Sequence, residues 1–163
     1  MSLPEVIQHQ DFLLTLNTNE ESIIKDALPG VDVYPLFLDP ENGTWVIRAK
    51  FKPGVTLPKH FHTGVVHFYT LGGAWHYIEY PDQLQTAGSY LYEPGGSIHT
   101  FHCPENSGGA DGFMVITGAN INFDEQGNSS TSWTQAGLSK LLLQQQKHKA
   151  SPLATSNRVR LLA

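Results

Sequence analysis

Six of the chain's eight histidines fall between positions 60 and 102: His60, His62, His67, His76, His99 and His102. Neutral imidazole suits iron, zinc, copper and nickel, so this concentration reads first as metal chemistry. His60 and His62 form a His-x-His pair. On a strand, residues two apart project to the same face, so both rings can converge on one ion. Two half-exposed strand histidines are the alternative. His67, five residues after His62, points to the opposite face of a straight strand, and a bend at Gly64 would restore its direction. It is therefore a candidate fourth ligand, or else a histidine lining the cavity behind the ligands. His99 begins a strand after the Pro94-Gly95-Gly96 loop and, taken alone, is a turn histidine. His76 and His102 read as structural or as supports for the ligands. Glu79 shares strand parity with Trp75 and Tyr77. It is open to three roles: ligand, base removing a substrate proton, or plain surface charge. Glu93, directly before Pro94, reads as structural. Tyr69, Tyr90, Phe101 and Phe113 are candidate walls of a substrate cavity, each also readable as core filler.

The elements that must position these residues are strands. Residues 1–30 form an N-terminal arm, in which Asn17-Thr18-Asn19 before Glu20-Glu21 can cap a short helix running to about Ala27. From 31 to 124 short apolar runs alternate with Gly/Pro turns, the pattern of an all-β sandwich or closed barrel. Pro35 places the Val31–Asp39 strand at an edge or a bulge. Val65–Leu71 and Ala74–Tyr80 flank Gly72-Gly73, a hairpin signal. Residues 125–163 differ in character. Gly127 to Ser132 is polar and loop-like, Trp133 to about Lys149 carries apolar residues at helical spacing, and 151–163 is a tail.

Length and composition exclude several classes. A chain of 163 residues with 40% apolar residues supports one domain with extensions. The formal net charge of −5 and the absence of any Lys/Arg run argue against nucleic acid and against anionic membrane surfaces. No segment approaches the roughly 20 apolar residues of a membrane helix. Phe12 to Leu16 is too short for a signal peptide and follows Asp11, so a cytoplasmic location is expected. The single cysteine, Cys103, agrees with a reducing compartment.

Two motifs then carry a resemblance. Gly54-Val-Thr-Leu-Pro-Lys-His60-Phe-His62-Thr-Gly-Val-Val-His67-Phe-Tyr-Thr-Leu-Gly72 resembles the first motif of the cupin superfamily, and Gly88-Ser-Tyr-Leu-Tyr-Glu-Pro94-Gly-Gly96-Ser-Ile-His99 resembles the second. The resemblance implies a double-stranded β-helix, or jelly-roll barrel, holding one divalent metal on His60, His62 and His99. His67 stands where most cupins have Glu, and Cys103 where the second motif often ends in Asn. More closely, His62-Thr-Gly-Val-Val-His67, Trp75-His-Tyr-Ile-Glu79 and Thr86-Ala-Gly-Ser-Tyr-Leu-Tyr-Glu-Pro94 are similar to the branch that holds ChrR-type cupins, 2,4'-dihydroxyacetophenone dioxygenase and the acetylacetone-cleaving enzyme. That branch implies Fe(II) and dioxygen acting on a carbon–carbon bond beside a carbonyl; it also contains zinc-binding regulatory cupins.

An all-histidine sphere leaves the full +2 on the metal and favours a substrate that brings its own negative charge, such as a β-diketone enolate or a hydroxyketone anion. The expected function is a mononuclear non-haem iron dioxygenase acting on a small carbonyl compound. Two alternatives stand beside it: a metal- or ligand-sensing cupin without turnover, and a non-oxidative isomerase or hydrolase using Zn, Ni or Mn. Cupin barrels commonly pair, and Phe12, Leu13, Leu14 and Leu16 need a partner surface, so a homodimer is expected.

Overall fold

Trp45, Ile47, Ala49 and Phe51 alternate with less buried neighbours, and all four side chains turn inward from the strand Thr44–Phe51 (β3). This period-two burial is repeated across the sheet and builds one face of the core. The computed structural model describes residues 16–19, 23–39, 41–134 and 137. Before β3 come β1 (Ile24–Leu28) and β2 (Val31–Asp39). After it follow β4 (His60–His62), β5 (Val66–Tyr77), β6 (Gln85–Thr86), β7 (Tyr90–Glu93), β8 (Ile98–His99) and β9 (Phe101–His102). A 3-10 turn at Glu105–Ser107 leads to β10 (Ala110–Thr117), β11 (Asn120–Phe123) and β12 (Ser129–Trp133).

The strands form two antiparallel sheets. One runs β1-β2-β3-β10-β5-β6, with β7 and β9 also paired to β5; the other runs β12-β11-β4-β8. Met114 of β10 lies opposite Ile47 on one side and Phe68 on the other, so the inward row is continuous across three strands. On the outer face Arg48 grips both oxygens of Asp111 at 2.9 and 2.7 Å, tying β3 to β10. The fold is all-β, as the turn-punctuated sequence predicts. Among the described residues no helix is long and apolar enough to cross a membrane.

Three local expectations are corrected. The capped helix ending near Ala27 is replaced by β1, paired antiparallel with β2. Ile24 is buried, Ala27 and Leu28 pack on the core, and Asp32 accepts from both the Lys25 ammonium and the Asp26 amide. Burial of that edge overrides a weak local preference.

Gly72-Gly73 is not a hairpin turn, because β5 continues through it for 12 residues. The pairing with β10 slips by one residue at this point. Gly73 sits at φ +69°, where an added Cβ would lie 1.9 Å from the Gly109 carbonyl. The two glycines let one strand bend and serve both ends of the barrel wall.

At the other end, residues 129–133 are strand rather than loop and helix start. Asp124 Oδ1 accepts the amides of Gln126 and Asn128, turning the chain back so that β12 pairs with β11. Apart from Thr134 and Gly137, the expected helix beyond Trp133 to Lys149 and the tail lie outside the described residues, as do Phe12, Leu13 and Leu14 of the arm. Pro35 does mark a bulge, where the β2–β3 register shifts between Pro35 and Phe37.

Candidate metal centre

His60 and His99 are direct cross-strand partners on β4 and β8, and His62 lies two residues along β4. Strand parity sends both β4 histidines inward, and all three side chains are buried. Their ring centroids are 4.8, 5.4 and 6.2 Å apart, and one nitrogen from each lies within 4.8 Å of the others. His60 Nδ1 donates to the Pro58 carbonyl at 2.8 Å, which leaves Nε2 with the free lone pair. A ligating histidine is usually anchored in this way through its other nitrogen.

A carboxylate joins the cluster from the opposite sheet. On β7 the exposed Tyr90 and Tyr92 alternate with inward Leu91 and Glu93, and Glu93 is buried. Its Oε2 lies 3.3 Å from His99 Nε2 and 3.6 Å from His62 Nε2. Tyr77 stacks on His99, with ring centroids 4.1 Å apart, and donates its hydroxyl to Glu93 Oε1. In the sequence Glu93 reads as structural because it precedes a proline. The alternation of β7, with both tyrosines outward, was the signal that could have found it.

Three buried atoms here, His62 Nδ1, His99 Nε2 and Glu93 Oε2, have no hydrogen-bond partner. Orphaned polar atoms are rare in native interiors because each costs about 1–3 kcal/mol. A group of them on nitrogen and oxygen donors fits a divalent cation. Protonation states agree. Burial holds His60 below its ordinary value and pushes His62 down to about 4, so both rings are neutral at pH 7, as metal binding requires. Burial alone would raise Glu93, but the His99 and His62 rings and the Tyr77 hydroxyl outweigh it and keep the carboxyl below its ordinary value. Burial and the Glu93 charge push the Tyr77 hydroxyl well up, so it stays a proton donor.

The cluster stands in the wall of a pocket of about 90 Å³, lined mainly by apolar side chains such as Val33, Ile47, Phe51, Phe101, Met114 and Trp133. Asn120, opposite His62 on β11, adds a buried carbonyl oxygen with no hydrogen-bond partner.

Of the expected site residues, His60, His62 and Phe101 line this pocket and His99 packs against both histidines beside it; the rest do not. His67 as fourth ligand is corrected. The chain bends at Thr63-Gly64 and passes from β4 in one sheet to β5 in the other, where His67 falls between inward Val66 and Phe68, and its ring lies on the outer face bonded to the Tyr90 hydroxyl at 2.8 Å. Tyr69 and Tyr90 are exposed on that same face, and Phe113, paired with Tyr69 and Arg48, has their parity; none lines the pocket. Glu79 is exposed at the end of β5, where its carboxylate accepts from the Thr100 amide and hydroxyl at 2.8 and 2.9 Å. It fastens a turn and is absent from the pocket wall.

A model of the ChrR cupin-like domain matches residues 12–116. The chain belongs to this family. A cupin-like protein of unknown function from Ralstonia eutropha JMP134 is 41% identical, with 94% of this chain and 99% of that one covered and a TM-score of 0.79. An RmlC-like cupin from the same organism is 23% identical over 90% and 96% of the two chains, TM-score 0.77. An acetylacetone dioxygenase from Acinetobacter johnsonii is 19% identical over 82% and 91%, TM-score 0.69, a likeness of fold. No protein of curated function matches. In this cupin the acid beside the histidines comes from the strand before Pro94, while the first motif's acid position carries the outward His67.

Two consequences are measurable. His67→Ala should leave the metal content unchanged, read by elemental analysis of dialysed protein. The metal-free protein should lose stability as the pH falls from 6.5 toward 4. His62 titrates near 4 when folded against an ordinary 6.5, so in this window the unfolded chain takes up a proton that the folded chain refuses. Above 6.5 both forms are neutral and His62 contributes no slope. At about 1.36 kcal/mol per unit, the loss from His62 alone is on the order of 3 kcal/mol, and His60 adds to it in the same direction. Urea midpoints across this range check the sign.

Proposed function

We propose that this chain is a mononuclear non-haem iron dioxygenase that cleaves a carbon–carbon bond in a small β-diketone or hydroxyketone. The observation that carries the reading is three buried histidines with a carboxylate beside them, at the wall of an apolar pocket. Ferrous iron held there would supply Lewis acidity toward carbonyl oxygens and a redox-active centre at which dioxygen takes its electrons from the bound substrate. Histidine binds a metal through a neutral ring and Glu93 would bring one negative charge, so a divalent ion would leave the site at +1. That positive charge favours the anionic form of a bound carbonyl substrate.

Glu93 Oε2, free of hydrogen bonds, is placed to take the proton that a β-diketone or hydroxyketone sheds on becoming an enolate or alkoxide. Tyr77 holds the carboxylate in position from its other oxygen. Phe101, Met114 and Trp133 exclude water from the reacting carbonyl. The acetylacetone dioxygenase that shares the fold is consistent with this substrate class.

One observation favours a second reading. Three histidines and one carboxylate make the four-donor set of a closed zinc site, which would bind metal without turnover, as a sensor does. The deciding experiment is elemental analysis of protein purified without chelator, followed by oxygen uptake by the iron-loaded form with a panel of β-diketones and hydroxyketones. The dioxygenase reading expects uptake that depends on iron and on one substrate of the panel. Zinc at one per chain with no uptake would replace it with the second reading. We further propose a cytoplasmic homodimer; a sedimentation mass equal to one chain at all concentrations would contradict the dimer.

A further inference from the structure

Two histidines outside the pocket also face each other. His76 of β5 and His102 of β9 are direct cross-strand partners, on the faces of those strands opposite Tyr77 and Phe101. Their ring centroids are 5.3 Å apart, within the 4.8–6.2 Å span of the three histidines of the pocket. Each ring is held by its Nδ1. His76 Nδ1 donates to the Tyr77 carbonyl at 2.9 Å, and His102 Nδ1 shares a 2.8 Å bond with the Thr56 hydroxyl. A carbonyl only accepts, so Nδ1 carries a proton and the neutral tautomer of His76 keeps its lone pair on Nε2. Anchoring of one ring nitrogen by a carbonyl or hydroxyl is the arrangement that orients histidine toward a metal. Both side chains are half-buried, so little rotamer freedom is left to lose on binding, yet solvent can complete a coordination sphere.

We propose that His76 and His102 form a second metal site, separate from the pocket, for a borderline divalent ion such as Zn(II), Ni(II) or Cu(II), with water in the remaining positions. Two imidazole donors select these ions over Mg(II) and Ca(II), which prefer oxygen. The bound ion would clip β5 to β9 behind Tyr77 and Phe101, and so stiffen the wall that carries both side chains.

The test is to titrate the protein, as purified with its resident metal, with Zn(II) alone, and to count the additional zinc bound by equilibrium dialysis. The expected result is one further equivalent with a dissociation constant below about 1 mM. His76→Ala and His102→Ala should each weaken it at least about tenfold, while the resident metal is retained. His67→Ala, which removes an exposed histidine of neither cluster, should keep it. Saturating zinc should raise the unfolding temperature of the wild type by a few degrees and that of neither variant. His76→Gln serves as a second substitution should the alanine variant fold poorly. The proposal is overturned if no further equivalent binds below 1 mM. It is equally overturned if the equivalent survives in both histidine variants, or if those variants lose the resident metal in parallel.

Discussion

His99→Ala is expected to strip the chain of its metal. His99 supplies one of three nitrogen donors, is itself 3% exposed, and sits directly across from His60 on the neighbouring strand. Without it only the His60–His62 pair on β4 remains, together with a carboxylate that lies within 4 Å of His62 but not of His60. Loss of a residue that merely orients a ligand lowers metal affinity about 10–100-fold, so loss of the ligand itself should exceed a hundredfold. Metal per chain after dialysis should fall from one to a small fraction, and His60→Ala should do the same. Circular dichroism separates this from unfolding, because Tyr77, Phe101 and Trp75 still pack the neighbouring core. Full stoichiometry in folded His99→Ala protein would show that the metal is held elsewhere.

Glu93→Gln is expected to split binding from turnover. The amide is nearly isosteric and its oxygen can still accept the Tyr77 hydroxyl, so the local packing survives. The charge and the proton-accepting oxygen beside His99 and His62 are lost. Three histidines should continue to hold the ion, with affinity weakened about 10–100-fold. Turnover of the metal-loaded variant should fall by about a hundredfold or more, carried by kcat rather than KM, since a general base contributes 10²–10⁴. Complete loss of metal in Glu93→Gln would instead make the carboxylate an obligatory fourth ligand and favour the closed zinc site. Unchanged turnover would remove Glu93 from the chemistry.

Much of this architecture was legible because the signals are local. The His60–His62 spacing needs only strand parity to bring two rings together, and the Pro94-Gly95-Gly96 loop leads into the short strand β8, which sets His99 opposite β4. The alternation of Trp45, Ile47, Ala49 and Phe51 marks a one-sided strand without further information. What stayed hidden depends on long-range pairing. Gly72-Gly73 has the composition of a turn, and only the approach of Gly109 from another part of the chain shows it to be a bend within β5. Ile24–Leu28 lies behind a helix-capping pattern, and its strand state is fixed by β2 and the core. His67 occupies the motif position of an acid, but the chain changes sheet between β4 and β5, parity on β5 turns it outward between Val66 and Phe68, and Tyr90 holds it there. Glu93 was the converse case: a charged residue before a proline looks like loop, and its burial arises from strand parity on β7 together with the Tyr77 hydroxyl waiting inside.

The most direct test of the metal centre is anomalous diffraction from crystals of protein purified without chelator, recorded at the absorption edge of the metal found by elemental analysis. A peak bounded by the His60, His62 and His99 rings is the predicted result. Metal in the crystal with no peak among those three rings would contradict the assignment.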